Sequence, residues 1–363
     1  MKLTRITGIV AGLSLLVAGM QAQVSLPAVF TDHMVLQQKS EVPVWGWGSA
    51  SATIKVVGSW APQDTATTVV RSDGTWDTTL KTIGAGGPYT LSVLGDGTRE
   101  LKDVMLGEVW LCSGQSNMEW TPMHGIDNSE EEVAAANYPN IRFFHIPKRG
   151  AATPQNNCEA SWAPCTPDRM KSTSAIAYFF GRDLQKDLNV PVGLIVSAWG
   201  GTPAEVWVPE EQVMNNPRIR DVMPDKTYPW WPVEPGVLYN QMISPVVPYA
   251  LAGAIWYQGE SNRDHPDSYG ILLKTMVESW RKSFKKDFPF YLVQIAPFTY
   301  NAGDNGAALV REHQEWVART VPGAGMVAVS DCVADVKNIH PTDKQSVGQR
   351  LANMALGKIY GRL

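Results

Sequence analysis

Four short segments of the sequence carry residue types that together suit ester hydrolysis by a serine. Ser116 follows the apolar run "EVWLC" within "SGQSN", and Gly200 and Gly201 follow "VGLIVS". The run "GAIWY" leads into "QGESN", and His340 lies in "NIHPTDKQ", downstream of "GMVAV". Serine-based ester hydrolysis needs a nucleophile, a base and hydrogen-bond donors directed at the developing oxyanion. The four segments together therefore indicate a serine esterase more strongly than any one of them.

Each segment taken alone also has a purely structural interpretation. Gly-x-Ser is a common turn sequence, and two adjacent glycines suit a tight turn with positive φ. Glu260 in the third segment suits a solvated or ion-paired carboxylate. His340 precedes "TDKQ" (342–345), a capping-box pattern that predicts the start of the last helix. Such a helix would hold the histidine loop rigid.

The strands and helices that must position these residues are predicted after residue 104, where apolar runs alternate with helical patterns. The runs are "EVWLC" (108–112), "VGLIVS" (192–197), "GAIWY" (253–257), "FYLVQI" (290–295) and "GMVAV" (325–329). Apolar periodicity over 176–188, capped by Ser172 or Ser174, and over 269–284 predicts helices between them. This alternation predicts an α/β fold with a parallel sheet, whose ligand crevice lies beyond the carboxyl ends of the strands.

Residues 23–104 have a different character, with short β-branched and aromatic runs separated by turn signals. This spacing predicts a small N-terminal β-sandwich domain, followed by an esterase domain over 105–363. We interpret its tryptophans as core or sheet-face residues rather than as a platform for sugars. They are Trp45, Trp47, Trp60 and Trp76.

The first 22 residues have the layout of a secretory signal peptide. Lys2 and Arg5 precede an apolar run that is too short to span a bilayer comfortably, and cleavage is expected after Ala22. We therefore expect a secreted or periplasmic protein that has no membrane association after signal removal. The formal net charge of −4 gives no indication of a nucleic-acid partner.

In an oxidising compartment, two of the four cysteines could form a disulfide. Cys158 and Cys165 are close enough in sequence to close a small disulfide loop, and we expect that pairing. Cys112 and Cys332 end apolar runs and are expected to be buried thiols. No Cys/His spacing matches a structural zinc site.

Taken together, these blocks resemble those of the SGNH hydrolase superfamily and, more narrowly, of the sialate O-acetylesterases and related carbohydrate acetylesterases. The resemblance lies in "CSGQSNMEW", "SAWGGTPAEVW", "WYQGESN" and "IHPTDKQSVGQRLA", and extends to "FTDHMVLQQKSEVPVWGWG" and "GGPYTLSV" near the N-terminus. It implies a flavodoxin-like three-layer sandwich with a parallel five-stranded sheet, preceded by the β-sandwich. It implies no cofactor and no metal.

The same resemblance implies roles for individual residues. Ser116 would be the nucleophile and His340 the general base, then the general acid. The oxyanion would be held by the backbone N–H of Ser116, that of Gly200 or Gly201, and a side-chain amide. Gln258 is the preferred amide and Asn262 the reserve. Further residues are expected to support the site: Gln115, Asn117, Glu260 and Asn338.

The sequence departs from the superfamily pattern at the residue that should orient His340. Relatives place an aspartate three or two residues before the histidine, where this chain has Lys337 and Asn338. An asparagine can orient an imidazole but stabilises imidazolium less well than a carboxylate does. Two interpretations remain: Asp335 or another carboxylate reaches the ring, with Asp335 preferred, or a Ser–His dyad works with a backbone carbonyl.

The resemblance implies acetyl esters of carbohydrates as substrates, whether of sialic acid or of xylose-containing plant glycans. Trp120 and Trp199 are candidates for stacking on a sugar ring. Arg263 is the candidate partner for a sialate carboxylate. A secreted carbohydrate-binding protein without catalysis is the alternative from another functional class.

Overall fold

The computed structural model describes residues 23–223, 227–301 and 303–362. The expected signal peptide, residues 1–22, lies outside the described residues. No helix in the described ranges is both long and apolar enough to cross a bilayer.

The N-terminal strands follow the predicted β-rich runs. They are β1 (Val35–Gln37), β2 (Glu41–Trp47), β3 (Thr53–Gly58), β4 (Ala66–Val69), β5 (Thr75–Lys81), β6 (Gly86–Gly95) and β7 (Gly97–Gly114). β2 pairs with β5, while β3 pairs with β4 and β6, and β6 pairs with β7. Exposed and buried residues alternate along β2 and β3, so each presents one face to the core.

The second part of the chain builds a mostly parallel sheet. Its further strands are β8 (Tyr138–His145), β9 (Trp162–Cys165), β10 (Val192–Ala198), β11 (Gly253–Tyr257), β12 (Phe290–Val293) and β13 (Ala324–Val327). The order is β13-β12-β11-β7-β10-β8-β9. All neighbours are parallel except β8 and β9, which are antiparallel.

All five predicted apolar runs form strands of this sheet, but the expected number of strands was too low. Among the described residues β8 adds a sixth parallel strand and β9 an antiparallel edge. β8 was not predicted from the sequence, because Pro139 and Arg142 interrupt its apolar run. Arg142 is buried, and its guanidinium donates to Asp103 Oδ2 at 2.8 Å, which compensates the buried charge.

The long strand β7 joins the two parts of the molecule without a linker. Its first half pairs antiparallel with β6. Residues 108–114 pair with β10 on one side, and residues 110–114 pair with β11 on the other. The expected domain boundary after residue 104 therefore falls inside a continuous strand, so the N-terminal sheet directly positions the strand that leads to Ser116.

Helices cover the sheet, and their ends follow the predicted caps only in part. The helices are α1 (Ser116–Glu119), α2 (Ser129–Ala135), α3 (Pro167–Lys171), α4 (Ala175–Leu188), α5 (Glu210–Met214), α6 (Pro217–Arg220), α7 (Pro266–Phe284), α8 (Gly306–Thr320) and α9 (Lys344–Lys358). Ser174 caps α4 by accepting from the N–H of Ala177. The cap of α9 is Asp343 rather than the predicted Thr342.

Shorter helical turns lie in the connections. They are the 3-10 turns Pro122–His124, Ala204–Trp207, Ser244–Val246, Glu260–Asn262 and Ser330–Cys332, and the π turn Tyr239–Ile243. The turn Glu260–Asn262 directly follows the end of β11, so the third sequence block folds back beside the nucleophile turn.

The expected Cys158–Cys165 disulfide is wrong for this structure, in which all four cysteines are free thiols. Cys165 lies in β9, and its thiol is directed at the carbonyl oxygen of Ala136, 3.7 Å away. Burial raises the pKa of both Cys158 and Cys165 to about 11. Cys112 and Cys332 are buried thiols, as expected.

Candidate active site

Ser116 and His340, 224 positions apart in sequence, are brought into hydrogen-bond contact. The Ser116 Oγ lies 2.9 Å from Nε2 of His340. Ser116 opens α1, two residues after the end of β7, and His340 lies in the loop before α9. This distance is within the range of a nucleophile and its base.

The imidazole of His340 is held by an aromatic ring and by a local turn. Trp120 stacks on it, with ring centroids 4.0 Å apart and planes at 19°. The indole is fixed in turn by a hydrogen bond from Nε1 to the carbonyl oxygen of Gly125. The backbone N–H of His340 donates to Oδ1 of Asn338 at 2.9 Å.

Asp335 is not brought to the imidazole. Its carboxylate accepts from the backbone N–H of Lys337 at 2.8 Å, within an exposed turn. Among the described residues, no carboxylate lies within hydrogen-bond or ion-pair distance of the His340 ring. The side chain that sequence reasoning proposed as third member of a triad therefore shapes the loop instead.

The electrostatic surroundings keep His340 neutral. Burial, and then the positive charges of Lys344 and His124, lower its pKa to about 4. A carboxylate partner would act in the opposite direction by stabilising the imidazolium. The imidazole is therefore in the unprotonated form that a general base requires.

A buried polar cluster lies directly behind the Ser116–His340 pair. Asn117 Nδ2 donates to Glu260 Oε1 at 2.8 Å and to the carbonyl oxygen of Ile339 at 3.0 Å. Asn117 Oδ1 accepts from Lys344 Nζ at 2.6 Å. One amide thus connects α1, the third sequence block, the histidine loop and the first turn of α9.

Lys344 and Glu260 are opposite charges that are both removed from water. Lys344 is 1% exposed, and its desolvation lowers its pKa to about 7, although Glu260 opposes this. Burial raises the pKa of Glu260, against the hydrogen bond from Asn117 and the charge of Lys344. The opposite charges attract each other across the shared amide, but desolvation has the larger effect on the pKa of each.

The predicted side-chain amide donors of the oxyanion hole are already engaged. Gln258 Nε2 donates to the carbonyl oxygen of Thr202 and to Asn262 Oδ1, and its Oε1 faces Tyr269 Oη at 3.0 Å. Asn262 Nδ2 donates to Glu205 Oε2 at 2.8 Å. Gln258 and Asn262 are fully buried. Both amides therefore hold the loops together.

Of the two predicted glycines, Gly200 is also engaged. Its N–H donates to Oε2 of Glu119 at 2.6 Å. The same carboxylate is ion-paired with Lys148 through Oε1. A Cβ on residue 200 would lie 3.1 Å from the Cβ of Ser116, so the absence of a side chain allows this close approach.

The backbone N–H groups of Gly201 and Ser116 are free to bind an oxyanion. Neither has an acceptor within the described ranges. Gly201 has a φ of +80°, and a Cβ there would meet the ring of Trp231 at 2.4 Å, so only glycine fits. These two unengaged N–H groups are therefore the candidate donors for an oxyanion.

Gln115 ties the nucleophile turn to the third block. Its Oε1 accepts from the N–H of Gly259 at 3.2 Å and from the N–H of Ser261 at 3.4 Å. Ser261 in turn donates from its hydroxyl to the carbonyl oxygen of Gly201. The expected supporting role of Gln115 thus takes the form of a bridge between loops.

The three residues predicted to contact a sugar, Trp120, Trp199 and Arg263, lie in different surroundings. Trp120 packs on His340, and Trp199 is half-buried with its backbone N–H bonded to the carbonyl oxygen of Gly114. Arg263 lines a cavity of about 190 Å³ beside Gly201. Its guanidinium is ion-paired with Asp264 and Asp304 and lies over the ring of Tyr300.

Two residues of the site were missed by sequence reasoning, Lys344 and Glu119. A lysine in the first turn of a helix opposes the helix dipole, so Lys344 carried a signal of special placement. Glu119 follows Ser116 by three positions within the quoted motif, but nothing in its residue type indicated the contact with Gly200. Both act through partners that are distant in sequence.

Comparisons with known proteins agree on one family. The family model described as carbohydrate esterase, sialic acid-specific acetylesterase, matches residues 106–357. The human sialate O-acetylesterase is 32% identical over 369 residues, covering 91% of this chain and 70% of that protein. The rat sialate O-acetylesterase is 31% identical, with coverages of 91% and 72%.

A solved structure shows the same fold. The crystal structure of a carbohydrate acetylesterase from Xanthomonas citri is 34% identical to this chain, with a TM-score of 0.82. The alignment covers 93% of this chain and 76% of that one. The similarity therefore includes the N-terminal strands as well as the central sheet.

The charge of Lys344 near His340 predicts a measurable change in the pKa of His340 when Lys344 is replaced. In Lys344→Met the positive charge that disfavours the imidazolium is gone, so the pKa of His340 should rise from about 4 by about one pH unit. NMR titration of labelled histidines measures this value. Lys274→Met, which removes an exposed lysine of α7, is the matched control and should leave it unchanged. An unaltered pKa in Lys344→Met contradicts the proximity of the two charges.

Proposed function

The chain belongs to the sialic acid-specific acetylesterase family of carbohydrate esterases, and we propose that it removes O-acetyl groups from sugars through an acetyl-enzyme formed on Ser116. The observation that carries this proposal is the 2.9 Å contact between the Ser116 hydroxyl and a neutral His340. Family membership makes the protein a hydrolase of acetyl esters rather than a non-catalytic carbohydrate-binding protein.

The first half of the reaction forms the acetyl-enzyme. His340 Nε2 takes the hydroxyl proton of Ser116 as Oγ attacks the acetyl carbonyl carbon. The carbonyl electrons move to oxygen, and the N–H groups of Ser116 and Gly201 bind the resulting oxyanion. The carbonyl re-forms as the sugar oxygen leaves with the proton from His340.

The second half releases acetate. Water takes the place of the sugar hydroxyl and gives a proton to His340 as it attacks the acetyl-serine. Collapse of this second tetrahedral intermediate breaks the bond to Oγ, which regains the proton from His340. Serine and imidazole return to their starting states, and no group beyond the protein and water is consumed.

We propose that His340 works as a dyad partner of Ser116 rather than as part of a Ser–His–Asp triad. Two contacts replace the orienting carboxylate: the stacked indole of Trp120 and the turn closed by Asn338. Without a nearby carboxylate, the imidazolium formed during catalysis is less stabilised. The proton is therefore transferred readily from the imidazolium to the leaving sugar oxygen.

The identity of the sugar is a separate proposal. Arg263, the candidate for binding a sialate carboxylate, is already paired with Asp264 and Asp304. A sialate carboxylate would have to compete with two acidic side chains. This arrangement favours acetylated neutral sugars, such as acetylxylan, over acetylated sialic acid.

We further infer the finer architecture and the location of the protein. The resemblance of the blocks supports a flavodoxin-like SGNH hydrolase sandwich for residues 105–363 and a β-sandwich for residues 23–104. The N-terminal pattern of residues 1–22 supports export to the periplasm or the exterior.

Replacing the nucleophile tests the proposed chemistry. Ser116→Ala should lower the rate of acetate release by at least about 10³-fold, because the attacking oxygen is removed. The assay compares acetylxylan with O-acetylated N-acetylneuraminic acid. Ser113→Ala, which changes a buried serine at the end of β7, is the matched control and should keep near-normal activity. Equal rates for wild type and Ser116→Ala would refute the proposal.

Replacing each of the two candidate residues before His340 separates dyad from triad. Asn338→Ala removes the bond to the His340 backbone N–H and should lower kcat about tenfold. Asp335→Ala removes only a turn contact and should change kcat by less than about threefold. A loss in Asp335→Ala that exceeds the loss in Asn338→Ala would show that a carboxylate supports the imidazole after all.

A further inference from the structure

A large cavity lies far from Ser116, at the other end of the parallel strands. Its volume is about 620 Å³, within the range of ligand sites. Residues 248–251, which precede β11, form part of its lining, whereas Gln258 of the active site follows β11. Six residues, 252–257, lie between Leu251 and Gln258, and in extended chain this separation is roughly 20 Å.

One wall of this cavity, hereafter the cleft, is the outer face of the β2–β5 pair. Trp45 and Trp47 both line the cleft and are only half-buried. Trp76, by contrast, is 1% exposed. The four N-terminal tryptophans therefore do not share one environment, and two of them present indole surface to an open space.

A row of polar side chains runs beside the two indoles. In the register of β2 and β5, Trp45 is opposite Asp77 and Trp47 is opposite Thr75. Arg71 connects these two partners, since Nε donates to Thr75 Oγ1 at 3.0 Å and Nη1 donates to Asp77 Oδ1. The wall thus combines aromatic faces with fixed hydrogen-bonding groups.

The opposite wall comes from the esterase part of the chain. Tyr249, Phe284 and Phe288 are buried behind it, while Lys285 and Lys286 are exposed at its edge. Lys286 Nζ donates to the carbonyl oxygen of Leu251 at 2.7 Å. The segments that form this wall are anchored in the core by these buried aromatic side chains.

We propose that the cleft is a non-catalytic binding site for a neutral oligosaccharide, in which Trp45 and Trp47 carry neighbouring sugar rings. Indole faces provide flat apolar surface for the C–H side of a sugar, and a polar row beside them suits its hydroxyls. Alternate residues on a strand lie about 7 Å apart on the same face, so both tryptophans are on the side of the strand that faces the cleft.

The charges of the cleft favour a neutral ligand over an anionic one. Arg71 is paired with Asp77, and Lys286 is bound to a backbone carbonyl. Glu41 adds a negative charge to the same lining, opposite in sign to Lys285. The site would hold one part of a long chain while acetyl groups elsewhere on it reach Ser116, an inference that rests on the proposed function.

Calorimetric titration with xylohexaose tests this inference directly, because this probe carries no acetyl group to be hydrolysed. Wild type should bind xylohexaose, and Trp47→Ala should raise the Kd at least about tenfold. Thr79→Arg, which places a long side chain in the cleft without removing a core residue, should have the same effect. Trp316→Ala, at an exposed tryptophan of α8, is the matched control and should bind like wild type.

Three outcomes would overturn the inference. The first is that wild type does not bind xylohexaose. The second is that a folded Thr79→Arg variant binds xylohexaose with unchanged affinity. The third is that wild type binds an oligomer of sialic acid instead of xylohexaose. Hydrolysis of 4-nitrophenyl acetate should stay at the wild-type rate in both cleft variants, since the cleft is remote from Ser116. Loss of acetate release in Ser116→Ala tests the esterase proposal separately, so either proposal can fail alone.

Discussion

The side-chain amide of Asn117 is the interaction on which the site depends. It is fully buried and bonds at once to Glu260, Lys344 and the carbonyl oxygen of Ile339. Three segments distant in sequence are thereby fixed relative to the helix that starts with Ser116. An amide is suited to this task because it is both donor and acceptor, so it can contact an anion and a cation together.

This cluster has an electrostatic consequence for catalysis. The charge of Lys344 lies close enough to His340 to disfavour the imidazolium, and no described carboxylate offsets it at the ring. The site is thus arranged to keep its base unprotonated, with orientation supplied by the stacked Trp120. Glu119 adds a second constraint, because its carboxylate accepts from the N–H of Gly200, whereas the N–H of Gly201 has no acceptor among the described residues.

Much of this arrangement was predictable from the sequence, and the exceptions share a physical cause. Apolar runs and their terminal residues predicted five strands and the meeting of Ser116 with His340, because strand ends at one sheet edge must lie together. The direction of side-chain hydrogen bonds was not predictable. Gln258 and Gly200 have suitable residue types, yet each is engaged by a partner distant in sequence that only the folded chain supplies. Asp335 is instead engaged by the N–H of Lys337, two residues further along the chain.

The central claim is that the site is a Ser–His dyad whose base is kept neutral. The most direct test is the pH dependence of kcat/KM for acetate release. This ratio reports the free enzyme's base, which is active only when unprotonated. The account predicts that kcat/KM rises with pH through a midpoint near the pKa of His340, about 4, and is already level at pH 6. A midpoint at or above about 6.5, the ordinary value for histidine, would contradict it.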